Sequence, residues 1–208
     1  VKKHFIFDVD DTITNSYEFN QQMFVDTFDK YIDIKHYEVD LYLRDLHFKS
    51  RGTAMHLQFD EAILHFGLKL NPHVLVKENE DLHIKNIDKI EIFDAVSDII
   101  KTLNKEGRIV SVCTNRQYGS LNKIMENNGL SQYLNYVVSC TDEGHEKPDP
   151  FCLDMIINKS GSKKEDCIYF GDSQTDYQFA TNAGIEFIIV DHYLNQKKFY
   201  KMILQSFM

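Results

Sequence analysis

From about residue 90 onward, short β-rich apolar runs alternate with segments whose apolar residues recur every three or four positions. The runs at 108–113, 136–139, 167–170 and 186–190 read as strands. Helical spacing covers 95–105, 118–127, 150–159, 175–183 and 196–207. Strand followed by helix, repeated, predicts a parallel sheet covered on both faces, and residues 4–7 supply one more strand to it.

The segment from about 16 to 89 has a different texture. Phe19, Met23, Phe28 and Ile32 recur at helical spacing, as do Met55, Phe59, Ala62, Ile63 and Phe66, with Gln58, Asp60 and His65 off that stripe. Such stripes are helix–helix core, and nothing in the segment reads as a strand. The expectation is an α/β fold: a doubly wound, Rossmann-like parallel sheet with a small α-helical cap inserted after its first strand. Residues 1–15 and 91–208 form the core and 16–90 the cap, with joins near 15–17 and 89–93.

Composition narrows the partners. The chain has 208 residues, 43% hydrophobic and 26% charged, as in an ordinary globular protein. A formal net charge of −9 argues against nucleic-acid or anionic-membrane binding, so a small anionic ligand needs a locally positive site. No apolar run approaches a membrane span, and the chain enters a strand-like run directly rather than through a signal peptide. Cys113, Cys140, Cys152 and Cys167 show no CxxC spacing, which argues against zinc and thioredoxin-type chemistry. Cys113, Cys140 and Cys167, in or beside strand-like runs, read as buried free thiols in a reducing, cytoplasmic setting.

The stretch FIFDVDDTIT at 5–14 runs from an apolar strand into Asp8, Asp10 and Asp11. Taken alone, these carboxylates read either as an exposed strand end with a cap or as groups around a cation. Further polar clusters follow the other strands: Thr114-Asn115, EKPDP at 146–150 and GDSQTD at 171–176. In an open parallel sheet the carboxyl ends of the strands share one edge, so clusters distant in sequence become neighbours. An all-oxygen carboxylate set without His or Cys favours Mg²⁺ over zinc or copper. Lys147 adds a compact positive charge and Thr114 a hydroxyl, a combination suited to phosphoryl transfer.

Together the four clusters resemble the haloacid dehalogenase superfamily of aspartate-nucleophile phosphohydrolases. DVDDT matches its first motif, VSVCTN at 110–115 the second, GHEKP at 144–148 the third and GDSQTD the fourth. The insert position is similar to that of the phosphoglycolate phosphatase and β-phosphoglucomutase subfamily. The resemblance implies that Asp8 attacks phosphorus, and that Asp10 protonates the leaving alcohol and then deprotonates water. It implies Mg²⁺ held by Asp8, the Asp10 carbonyl and Asp172, with Asp176 acting through water or by orienting the others. Thr114, Asn115 and Lys147 would bind the substrate phosphate. Asp11 stands where many relatives have Gly and reads as a helix or loop cap.

A proton-handling Asp10 favours C–O–P cleavage or phosphoryl transfer over dehalogenation. The expected function is hydrolysis of a small phosphorylated metabolite; the alternatives are a phosphomutase of the β-phosphoglucomutase type and a catalytically silent binding protein. In the turn FKSRGTAM at 48–55, Arg51 is a candidate specificity contact, with a solvated loop charge as its rival. Arg116 and Tyr118 are candidates to line the crevice. The scattered histidines lack metal-ligand spacing and read as structural or surface residues.

Overall fold

A computed structural model describes residues 2–190 and residue 205 of the chain; the helix expected at 196–207 lies outside the described residues apart from 205. The strands β1 (His4–Phe7), β4 (Ile109–Thr114), β5 (Tyr136–Ser139), β6 (Cys167–Gly171) and β7 (Glu186–Ile189) form one parallel sheet in the order β5-β4-β1-β6-β7. The two short strands β2 (Thr14–Asn15) and β3 (Glu91–Ile92) pair antiparallel, so the chain leaves and re-enters the sheet region along adjacent paths. They flank the helical segment.

Strand alternation explains the layers. Phe5, Phe7, Val110, Val112, Ile168 and Phe170 point to one face and pack with helices α5 (Asp94–Lys105) and α6 (Tyr118–Asn127). Ile6, Cys167 and Tyr169 point to the other, against α7 (Phe151–Ser160) and α8 (Gln174–Ala183). All four cysteines are buried free thiols.

Four helices precede the return to the sheet: α1 (Tyr17–Thr27), α2 (Tyr37–Lys49), α3 (Met55–Phe66) and α4 (Pro72–Lys85). They enclose their own core of Phe24, Phe28, Leu43, Phe59, Ala62 and Leu75, with the Phe24 and Phe59 rings stacked 5.0 Å apart. The stripe through Phe28 and Ile32 runs past the end of α1, whose last residue is Thr27, so these two positions pack from the following turns. Helix α4 carries a start signal the stripes did not expose: Asn71 accepts from the His73 amide at 3.0 Å and Pro72 occupies the first turn. Among the described residues no helix is long and apolar enough to cross a membrane.

Candidate active site

Parallel register brings the ends of β1, β4 and β6 side by side, because Phe7 stands level with Val112 and Phe170. The Asp8 amide continues the ladder to the Phe170 carbonyl at 2.8 Å, and the chain then turns as three successive amides, from Thr12 to Thr14, close on the Val9 carbonyl. Asp8 and Asp10, two positions apart, would share a face of a straight strand as well, and the turn after them leaves both lining the same cavity. Asp11 sits in the turn at φ 56°, a left-handed conformation that Gly adopts freely and Asp tolerates. Its Oδ1 accepts from the Ser16 amide at 3.1 Å, the loop-cap arrangement expected of it.

A cavity of about 410 Å³ opens at this edge between the sheet and the helical segment. Asp8, Asp10, Thr114, Asn115, Lys147, Asp172, Asp176 and Arg51 all line it, so every residue singled out for binding or chemistry is brought to one place. Arg116 lines it too; Tyr118 instead donates its amide to Asp142 and its hydroxyl to Glu143.

Lys147 is the hub. Its Nζ lies 2.5 Å from Asp8 Oδ1 and 2.7 Å from Asp176 Oδ1, and its amide donates to Asn115 Oδ1 at 2.9 Å. Asp176 is fixed by a capping box at the start of α8: Ser173 N and Oγ both donate to Oδ2, and the Asp176 amide donates back to Ser173 Oγ. Gly171 permits that fit, because a Cβ there would lie 2.5 Å from the Asp176 side chain. Thr114 Oγ1 accepts from the Arg116 amide at 3.2 Å.

Charge balance bears on which ion the site suits. Asp8, Asp172 and Asp176 each offer a carboxylate oxygen, all within 4.8 Å of one another, with Lys147 bonded to two of the three. Burial pushes the Asp8 carboxyl up to about 8 against the pull of Lys147, with Asp176, Asp10 and Asp172 adding repulsion. One ammonium does not neutralise three clustered carboxylates, two of them buried, and a hard divalent cation with oxygen preference fits this donor set.

Asp10 has different surroundings. Arg116 Nε and Nη2 reach its two oxygens at 3.0 and 2.6 Å, and Ser16 Oγ and Asn20 Nδ2 each donate to Oδ1 at 2.9 Å. Burial disfavours the Asp10 carboxylate, but Arg116 with Asn20 and Ser16 outweighs it and holds the carboxyl well below the usual range. The sequence placed Arg116 near the crevice without assigning it a partner. Asn20 and Ser16 were missed, since a lone polar residue early in a helix carries no pattern of its own.

The cap turn docks directly on the core. Gly52 adopts φ 77°, its carbonyl accepts from Asn115 Nδ2 at 3.4 Å, and a Cβ on it would fall 2.7 Å from Ser173 Oγ. The Arg51 guanidinium next to it lies over the rings of Tyr17 and Phe48 at 5.4 and 5.0 Å. His47, Asn79 and His83 close the cavity from the helical side.

Comparison with known proteins agrees with this geometry. A family model described as haloacid dehalogenase-like hydrolase matches residues 5–190. Among curated relatives, a pyrophosphatase PpaX from Halalkalibacterium halodurans is 24% identical over 191 residues, covering 90% of this chain and 82% of the relative. A phosphoglycolate phosphatase from Mesorhizobium japonicum is 30% identical over 118 residues, 56% of this chain and 52% of its own. A solved haloacid dehalogenase-like hydrolase from Bacteroides fragilis superposes with a TM-score of 0.76 at 19% identity, covering 95% and 92% of the two chains. CbbY from Rhodobacter sphaeroides, solved with xylulose-(1,5)bisphosphate, gives 0.70 at 16% identity, covering 93% and 88%. The family model spans nearly all of the described residues and takes in the aspartates, lysine and acidic cluster at the carboxyl edge of the sheet, and the chain belongs to the haloacid dehalogenase-like hydrolases.

Proposed function

We propose that this chain is a Mg²⁺-dependent phosphatase that hydrolyses a small phosphorylated metabolite through an aspartyl-phosphate on Asp8. The observation that carries the reading is the meeting of Asp8, Lys147, Asp172 and Asp176 in one cavity beside Thr114 and Asp10. Residues 16–90 are the cap that closes over the substrate, and 1–15 with 91–208 the catalytic core. The names of the relatives, a pyrophosphatase and a phosphoglycolate phosphatase, support the same substrate class.

Asp8, Asp172 and the Asp10 carbonyl would hold Mg²⁺, with Asp176 beside them. When bound, the cation neutralises charge on the carboxylates and on the phosphoryl oxygens. Lys147 and the Thr114 hydroxyl hold the phosphoryl group in line with Asp8, and Asn115 fixes the Lys147 backbone. An Asp8 oxygen forms a bond to phosphorus as the bond to the leaving oxygen breaks. Asp10, ionised beside Arg116 in the free site, passes to that oxygen a proton it first takes up from the bound phosphomonoester monoanion. Water then attacks the same phosphorus, the Asp8–phosphorus bond breaks, and Asp10 takes the proton back. Arg51, at the cap side, meets the rest of the substrate.

The test is a phosphate-release screen over small phosphomonoesters, phosphoglycolate, sugar phosphates, nucleotides and pyrophosphate, with Mg²⁺ present. Mg²⁺-stimulated phosphate release from a small set of them is expected. An isomerised product in the presence of a bisphosphate activator would replace the reading with a phosphomutase. No turnover across the panel would replace it with a binding protein.

A further inference from the structure

The Asp10 carboxylate is joined to the cap by a continuous set of polar contacts that the reaction above does not use. Arg116 grips Asp10 through Nε and Nη2, and Nη2 also donates to Asn20 Oδ1 at 2.7 Å. Its other terminal nitrogen, Nη1, donates to Ser120 Oγ at 3.1 Å. Ser120 passes the contact to Glu80 on cap helix α4: Oγ donates to Oε2 at 3.0 Å and the amide donates to Oε1 at 2.6 Å. Gly119 leaves room for this approach, since a Cβ on it would lie 2.7 Å from Glu80 Oε1. Ser120 is fully buried and Arg116 only 9% exposed, so bulk water does not stand in for a lost partner.

We infer that Arg116 is a positioning residue that sets the Asp10 carboxylate, and that Glu80, through Ser120, makes this setting depend on helix α4 being docked against helix α6. The inference rests on the reading of Asp10 as the group that moves the proton. A guanidinium is a rigid plane, so fixing its far nitrogen fixes the fork that faces Asp10. The Ser120 hydroxyl has one hydrogen; while Glu80 takes it, the oxygen presents its lone pairs to Arg116. Withdrawing Glu80 frees that hydroxyl to rotate and removes the carboxylate that caps the first turn of α6. Cap docking and proton transfer are thereby joined in one network.

Ser120→Ala cuts the hydroxyl step while keeping the amide bond to Glu80, and Arg116→Lys keeps the charge but loses the fork. Each would be assayed with Mg²⁺ on an alkyl phosphate, whose leaving oxygen needs a proton, and on p-nitrophenyl phosphate, whose leaving group does not. Since kcat/KM reports transfer to Asp8, a positioning role lowers it for the alkyl phosphate by at least about tenfold and for the aryl phosphate by less than about threefold. Equal losses on both substrates, or none, overturn the inference.

A second measurement is independent of turnover: exchange of the Arg116 Nε–H followed by NMR. Protection in the wild type that is lost in Glu80→Ala is expected, and unchanged protection overturns the link to the cap. A wild type inactive on both substrates would count against the phosphatase reading, while the exchange data still decide whether Glu80 holds Arg116 on Asp10.

Discussion

Lys147 Nζ stands between Asp8 Oδ1 at 2.5 Å and Asp176 Oδ1 at 2.7 Å, joining residues 139 and 29 positions away in the chain. Burial disfavours the ammonium, but Asp176 and Asp8 outweigh burial and keep Lys147 charged. The lysine therefore serves two carboxylates at once, and Asp8 receives only part of its compensation. In the proposed reaction Asp8 faces the incoming phosphoryl group, and a divalent cation would supply the rest of the charge.

Replacing the nucleophile tests its role most directly. Asp8→Asn is expected to lower kcat by at least about 10³-fold with the melting temperature within a few degrees of wild type, because the amide keeps the shape and an acceptor for Lys147. Near-normal turnover measured by phosphate release would remove Asp8 from the role.

Metal removal gives the second expectation. Protein stripped with EDTA should be inactive, and Mg²⁺ should restore turnover and raise the melting temperature by several degrees, about 2.7 kcal/mol at a hundred times Kd. Asp172→Asn should lose the thermal response. A stripped enzyme with full activity would show that the acidic cluster works without a cation.

Gly171→Ala places a Cβ 2.5 Å from Asp176 Cβ and Cγ, inside any van der Waals contact. The capping box and the Lys147 contact have to shift to accommodate it. A loss of about 1–3 kcal/mol in denaturant unfolding is expected, together with reduced turnover. Unchanged stability would mean that the Ser173 loop yields easily.

At the cap, Arg51→Ala is expected to raise KM about tenfold for substrates with a second anionic group and to leave kcat near wild type, since the contact is made equally in ground and transition states. An unchanged KM would assign Arg51 to the solvated surface.

His4 provides a pH signature in stability. It is fully buried, with ring nitrogens 3.0 Å from Ser162 Oγ and 2.7 Å from Ser111 Oγ, and burial lowers its pKa from 6.5 to about 4. The unfolded chain takes the proton first as pH falls. Stability is therefore full above pH 6.5, declines through the window down to about 4 by at most about 3 kcal/mol, and levels off below. His4→Asn should flatten the slope of melting temperature against pH in that window, and parallel slopes for the two proteins would count against it.

Much of the fold was legible because its signals are local. The strand at 136–139 and the helix at 118–127 coincide with β5 and α6, since apolar alternation and helical spacing act over a few residues. The paired strands β2 and β3 were not visible: two residues cannot display a period, and their pairing joins positions 14 and 92. Helix α4 was hidden by its charged face, although Asn71-Pro72 marked its start.

The sequence by itself determined the parallel α/β core with a helical insert, and the set of acidic, lysine and threonine side chains available at one sheet edge, because the alternation of strand and helix and the polar clusters after the strands are short-range pattern. Only the tertiary structure decided how those groups are shared: Lys147 between Asp8 and Asp176, and Arg116 on Asp10 with Ser120 and Glu80 behind it. A charged side chain of this length can reach any of several neighbours. Which partner it takes is set by where distant elements come to lie and by how deeply they bury it.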